Sequence, residues 1–238
     1  MKKYPRTEKY DHKWIVENWM GPNPLWLLEE LCEHMDLKPG MKILDLGCGK
    51  GITSIFLAKE FGVTVFANDL WISATENLKR FEEAGVADLV FPIHAEAHAL
   101  PYAEGFFDAA ISIDSYQYFG ADEMYFPCTF SKLVKAGGQF GIVVPGLTRE
   151  FDKGYPDTLK EHWEGEMFSF HSKNWWSHLW EKTGIAEITA CYELEEPKEV
   201  WRPWAKWAKE NLGFNDVEFL DSDTNNDIAL IVMSAIKK

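Results

Sequence analysis

The strongest constraint on this chain is the regular alternation of short apolar runs with longer segments of helical period. Met41 to Leu46, Val63 to Ala67, Leu89 to Ile93, Phe107 to Ile113 and Gln139 to Val144 are short, apolar and bounded by turn residues. Such runs suit strands buried on both faces. Between them lie segments with apolar residues three and four apart. Asn23-Pro24 reads as a helix start, followed by Leu28, Leu31, Cys32 and Met35 on one face and a stop at Pro39-Gly40. Thr53 to Phe61, Ser73 to Ala84 and Phe126 to Val134 read as further helices. Strands separated by helices must run parallel, with right-handed crossovers that place helices on both faces. Ser172 to Lys182 and Pro197 to Leu212 predict two more helices, and Ile185 to Leu194 and Asp227 to Ala235 the last two strands. The expected fold is α/β: a doubly wound, mostly parallel sheet of seven strands. Seven of the eleven tryptophans fall between Trp163 and Trp207, which predicts a Trp-rich helical cap within residues 146–212.

Charge and cysteine content narrow the partners. The formal net charge is −14, the opposite of the basic footprint that phosphate neutralisation requires. This disfavours nucleic acid and an anionic membrane surface. Cys32, Cys48, Cys128 and Cys191 are scattered and form no CxxC, so neither a metal site nor a disulfide framework is expected. No apolar core follows the basic Met1-Lys2-Lys3, and no apolar run approaches the ~18 residues of a bilayer span. A cytoplasmic protein of one domain, residues 1–238, is the expectation.

The strongest chemical signal is Ile43-Leu44-Asp45-Leu46-Gly47-Cys48-Gly49-Lys50-Gly51, placed where the first strand meets a helix. Glycines there permit a tight turn at positive φ and close approach of backbone to a ligand. Open α/β sheets bind ligands at the carboxyl ends of their strands. The spacing G-x-G-x-G differs from the dinucleotide fingerprint G-x-G-x-x-G, which disfavours an NAD-dependent oxidoreductase. Asp45 precedes the turn and is placed to accept a hydrogen bond or fix the loop. Asp69 follows the second strand, where a carboxylate can accept from both hydroxyls of a ribose. The same Asp69 is equally placed to cap the next helix.

With these motifs in order, residues 41–145 resemble the class I S-adenosylmethionine-dependent methyltransferases. The resemblance implies a Rossmann-like sheet with an antiparallel tail, S-adenosylmethionine as cofactor and S-adenosylhomocysteine as product. It implies that the backbone of Gly47, Gly49 and Gly51 packs against the methionine part of the cofactor. Asp69, with Leu70 beside it, would hold the ribose. In Ala95-Glu96-Ala97-His98-Ala99-Leu100-Pro101, Glu96 and the Ala97 N–H would meet adenine. Ile113, Asp114 and Ser115 would line the methionine end and the acceptor cavity. Ala136 stands where the family usually has proline. Residues 1–36 would form a helical lid, with Tyr10, Trp14 and Trp19 placed to close it.

Methyl transfer from a sulfonium is an in-line displacement that needs proximity and water exclusion more than acid–base chemistry. A base is required only where the acceptor must lose a proton. Asp114, Tyr116 and His171 are the catalytic candidates. His98, Gln117 and Tyr118 are further residues placed near the site. Aromatic faces attract cations, and an acidic protein favours cationic ligands. A small-molecule amine is therefore the expected methyl acceptor. Two alternatives stand beside it: a lipid-modifying enzyme resembling the cyclopropane synthases, and a non-catalytic S-adenosylmethionine-binding module. The sequence leaves the oligomeric state open.

Overall fold

The structure is a computed structural model that describes residues 3–238; Met1 and Lys2, part of the expected lid segment, lie outside it. After a short 3-10 turn at Thr7–Lys9, α1 spans His12–Asn18 and α2 spans Pro24–Cys32. Asn23 caps α2 as its sequence predicts, its Oδ1 accepting from the amides of Leu25 and Trp26, with Pro24 at the first helical position. There follow β1 (Lys42–Leu46), α3 (Ile52–Phe61), β2 (Thr64–Asp69), α4 (Ala74–Glu83), β3 (Val90–His94) and β4 (Phe107–Ile113). A full capping box between Ser73 and Glu76 starts α4. Then come α5 (Gln117–Gly120), a π-helical turn at Phe126–Phe130, α6 (Ser131–Leu133) and β5 (Val134–Leu147). The last third holds 3-10 segments at Asp157–His162 and Gly165–Ser169, then α7 (Lys173–Glu181), β6 (Ala186–Glu193), α8 (Pro197–Leu212), α9 (Asp216–Ser222) and β7 (Ile228–Lys237).

The seven strands form one sheet in the order β3-β2-β1-β4-β5-β7-β6. The first five are parallel to their neighbours, and β7 runs antiparallel to both β5 and β6. Successive residues of each strand face opposite sides, which divides the core in two. Ile43, Val65, Ala109, Ile111, Val143 and Val232 face the side covered by α2, α3 and α8. Leu44, Phe107, Ala110, Ile142, Val144 and Met233 face the side covered by Phe126, Phe130, Trp176 and Trp180. No helix of the described residues is long and apolar enough to cross a membrane.

Two expectations are revised. The helix expected over Phe126 to Val134 ends at Leu133, because Val134 already pairs with Phe107 in the sheet. β5 also continues through Pro145-Gly146, where a stop was expected. The parallel partner β4 runs out at the Ile113–Val143 pair, while the antiparallel partner β7 continues to Ile228. Pro145 therefore sits where only one edge is paired, a position that tolerates proline. The Trp-rich helical segment expected within residues 146–212 is present. Trp176 and Trp180 are fully buried under one face of the sheet, and Trp201 and Trp204 are buried under the other. The Trp-rich segment thus forms packed helices whose indoles point inward.

Trp180 stacks on Phe126 with ring centroids 4.3 Å apart. Replacing it by alanine removes a large buried aromatic from a closed layer. Trp180→Ala is expected to lower the unfolding free energy by about 3–5 kcal/mol, read from urea denaturation; a loss below about 1 kcal/mol would contradict this packing.

Candidate active site

The order of strand connections reverses between β1 and β4, and an open crevice lies at the carboxyl ends of β1, β2 and β4. It encloses a cavity of about 270 Å³. Its floor is the glycine turn after β1. Gly47, Gly49 and Gly51 all have positive φ, at 75°, 53° and 78°. At Gly47 the space is also closed: a Cβ there would stand 1.9 Å from Ser115 Oγ. Gly51 faces away from the cavity, and a Cβ there would meet the Phe81 ring at 2.4 Å. The turn is pinned to β2 by the amides of Gly47 and Cys48, which both donate to the Asn68 carbonyl.

Asp69 forms part of the wall and ties it together. Its Oδ2 accepts from the Gly49 amide at 2.8 Å, and its Oδ1 accepts from the amides of Trp71 and Ile72. It does not cap the next helix, which Ser73 caps; it closes the turn beyond β2 and lines the cavity. A carboxylate has about four lone-pair sites, so it retains capacity for further donors. Leu70 and Trp71 extend the wall outward, half or more exposed. Trp71 meets Tyr118 edge to face at 5.7 Å across the mouth. Glu96, Ala97 and His98 form the next stretch of wall. His98 donates from its backbone to Glu96 Oε2 and holds Oε1 with its ring, a pairing that keeps the Glu96 carboxyl below its ordinary range.

Ile113 and Asp114 line the far end of the cavity. Asp114 leaves β4 at φ 52°, an uncommon value for a residue with a side chain. Its amide donates to the Val143 carbonyl at 2.7 Å, and the Gln117 carboxamide lies 3.5 Å from its Oδ1. Desolvation, with Asp216 and Glu166 nearby, pushes its pKa up to about 8.

The structure moves four of the sequence-stated candidates out of the cavity. Asp45 is fully buried beneath the turn, where its Oδ2 accepts from Thr53 and Ser54 and burial pushes its pKa up to about 6. It staples β1 to α3. Gly51 is displaced with it, as described above. Tyr116 points to the opposite side of the sheet, buried against Phe119, Phe130, Trp176 and Trp180. His171 stacks on Trp175 at 3.7 Å and bonds Glu150, outside the crevice. The aromatic residues expected to close a lid are also placed elsewhere. Tyr10 and Trp14 pack against one another and Tyr10 on Phe56, while Trp19 is buried beside Trp204 and Trp207. The loop after Trp19 lines the cavity instead, through Met20, Gly21 and Pro22. Sequence reasoning also passed over Trp71. Its signal was an exposed apolar pair, Leu70-Trp71, in a turn that would ordinarily be polar.

With this geometry in place, the likeness to known proteins becomes specific. Residues 43–138 match the family described as a methyltransferase domain. Motif order, sheet order and that match support one class, a class I S-adenosylmethionine-dependent methyltransferase, with the matched domain at residues 43–138. It is 28% identical over 215 residues to a botryococcene C-methyltransferase of Botryococcus braunii, covering 88% of this chain and 49% of that one. It is 31% identical over 174 residues to phosphoethanolamine N-methyltransferase 1 of Arabidopsis thaliana, covering 73% of this chain and 34% of that one. The chain spans about half, or less, of the length of these curated relatives. Among solved structures, phosphoethanolamine N-methyltransferase 2 of Haemonchus contortus superposes with a TM-score of 0.74 at 20% identity, covering 100% of this chain and 60% of that one. Geranyl diphosphate C-methyltransferase of Streptomyces coelicolor A3(2) superposes at 0.71 and 18%, covering 89% and 78%. These last two likenesses show the fold.

Two outcomes test the placement of residues. Asp69→Ala removes the acceptor of the Gly49 amide and is expected to weaken S-adenosylhomocysteine binding by about 1–3 kcal/mol in calorimetric titration. Tyr116→Phe deletes a buried hydroxyl that lies outside the cavity and is expected to leave cofactor affinity unchanged in the same titration. A large loss of affinity in Tyr116→Phe would return that residue to the site.

Proposed function

We propose that this chain transfers a methyl group from S-adenosylmethionine to a small amine. The observation that carries the reading is the Asp114 carboxyl at the inner end of the cavity, desolvated and backed by further acids. The charge of the cavity wall supports it. Among the described residues, Lys50 is the one lysine or arginine lining the cavity, and its ammonium is bonded to the Glu17 carbonyl at 3.1 Å. A pyrophosphate would find little to neutralise it there. An adenosine with a cationic sulfonium needs no such partner. The backbone of the glycine turn would approach its amino-acid tail, Asp69 would accept from the ribose hydroxyls, and Ala97 N–H and Glu96 would meet the base. When bound, that cofactor supplies an electrophilic methyl carbon whose bond to sulfur breaks as the acceptor nitrogen bonds to it.

The protein's own contribution is proton and water control. An ammonium has no lone pair, so an amine acceptor must lose a proton before it attacks. Asp114, poised near pH 8, is suited to receive it at Oδ1 or Oδ2. Trp71, Tyr118 and the Met20–Pro22 loop would exclude solvent while this happens. The same acidic lining weighs against a phosphorylated acceptor. Relatives are named for phosphoethanolamine, for sterols and for botryococcene. A second reading is favoured by the exposed Leu70 and Trp71 at the mouth: an alkene acceptor, methylated on carbon, with Asp114 beside the resulting cation and available for its proton.

A panel of unphosphorylated amines, phosphorylated amines and isoprenoid alkenes, scored by release of S-adenosylhomocysteine, separates these readings. Unphosphorylated amines are expected to turn over best; turnover of alkenes alone would sink the amine reading. With an amine, the rate is expected to rise with pH through an apparent pKa near 8, as Asp114 becomes a base. Asp114→Asn should lower kcat by about 10²–10⁴-fold and abolish that limb. The sign of the stability effect is opposite. A carboxyl raised from 3.8 to about 8 on folding costs no stability below the lower value. The cost grows as pH rises and is complete above the higher value. Asp114→Asn is therefore expected to raise Tm at pH 9 and to leave it unchanged at pH 3.5, by calorimetry across that range.

A further inference from the structure

Gly21 lies in the loop between α1 and α2, against the Asp114 carboxyl. A Cβ at Gly21 would stand 1.9 Å from Asp114 Oδ2 and 3.2 Å from its Cγ. The backbone of Gly21 is not in the left-handed region, so its dihedral does not require glycine. The requirement is space alone. The loop cannot yield cheaply, because it is fixed at several points. Trp19 is buried between Trp204 and Trp207. The Asn23 amide donates to the Val200 carbonyl, and the Lys50 ammonium holds the Glu17 carbonyl. Met20 lies over Gly49. The carboxyl is fixed as well, on a backbone at φ 52° whose amide bonds Val143. Two rigid elements therefore meet at one atom, and the missing side chain lets them meet.

We propose that Gly21 is the positioning residue for Asp114: by coming to rest directly on Oδ2, the loop covers one face of the half-buried carboxyl and fixes where it sits at the end of the cavity. This rests on the reading of Asp114 as the acceptor-side group. The other groups that act on this carboxyl are Gln117 and Tyr118 from the start of α5, Glu166 from the 3-10 segment, and Asp216 from the start of α9. Asp216 is itself held by the Trp201 indole N–H at 3.0 Å. The acids repel a negative Asp114, Gln117 donates to it, and the Gly21 face supplies neither charge nor donor. The loop thus takes solvent from one face of the carboxyl without offering the carboxylate a replacement.

A side chain at position 21 forces either the loop or the carboxyl outward, and exposes more of the carboxyl to water. With an amine acceptor, Gly21→Ala is expected to lower kcat at least about tenfold. It should also shift the basic limb of the pH–rate profile at least about one unit toward acid. S-adenosylhomocysteine affinity should stay within about threefold, since the cofactor's adenosine end is elsewhere. Asp114→Glu, which drives a longer carboxyl against an unchanged Gly21, is expected to shift the limb the same way; it serves if Gly21→Ala does not fold. In an Asp114→Ser background the shorter side chain leaves room for a Cβ, and adding Gly21→Ala should cost less than about twofold. If Gly21→Ala folds and keeps both its rate and its limb, the inference is wrong and the role of Asp114 stands. If Asp114→Asn itself retains the limb, the earlier reading has failed and this one falls with it.

Discussion

The site depends on one clamp, the peptide of Gly49. Its N–H is taken by the Asp69 carboxylate, and its carbonyl accepts from the Asn77 carboxamide at 2.9 Å. A glycine turn left to itself is the most entropically costly piece of chain to order. Here the turn after β1 is held from β2 by Asp69 and from α4 by Asn77. The amides of Gly47 and Cys48 add two bonds to the Asn68 carbonyl. Three elements that belong to successive crossover units are thereby locked at one point on the floor of the crevice. Asp45 completes the clamp from below by holding Thr53 and Ser54 at the start of α3.

Polar groups are distributed unevenly along the crevice, and that unevenness gives it direction. The Asp69 end is rich in satisfied hydrogen bonds, which a ligand's hydroxyls can join at low cost. At the Asp114 end the carboxyl has a single long contact to Gln117, and its surroundings are acidic. The first arrangement suits stable binding. The second is expensive to keep and is of the kind that shifts a pKa toward the working range of a general base. A fold that needed only to bind adenosine would gain stability by replacing Asp114 with a neutral side chain.

Much of this was legible in the sequence because it follows from backbone geometry. The alternation of strands and helices, the capped start of α2, and the glycine turn with its acid on the next strand are local patterns. They survived intact, as did the positions of Asp69, Glu96 and Asp114 along the cavity. What was not legible depends on the facing of a single residue. Tyr116 and Asp114 are two positions apart after the same strand, yet Asp114 turns to the cavity and Tyr116 to the far core layer. Once a strand ends, side-chain alternation gives no rule for direction. The tryptophans illustrate a different gap. Their helical spacing fits a core stripe as well as a pocket wall, and only packing against Phe126, Phe130 and Phe219 decides between them.

The aromatic burial explains how the loop after Trp19 can be held in place although the rings of the N-terminal segment pack away from the cavity. Trp19 sits among Trp204 and Trp207 on α8, so the N-terminal segment is anchored to the same layer that carries β7 and the sheet's antiparallel tail. Anchoring an indole buries far more apolar area than a glycine–carboxyl contact yields. The energy that holds the loop down is therefore supplied remotely, and the residues at the cavity itself, Met20, Gly21 and Pro22, are free to be chosen for shape. That separation lets a loop rest against an acid it does not neutralise. The contact is unfavourable for the charged carboxylate, and the tryptophan cluster offsets it.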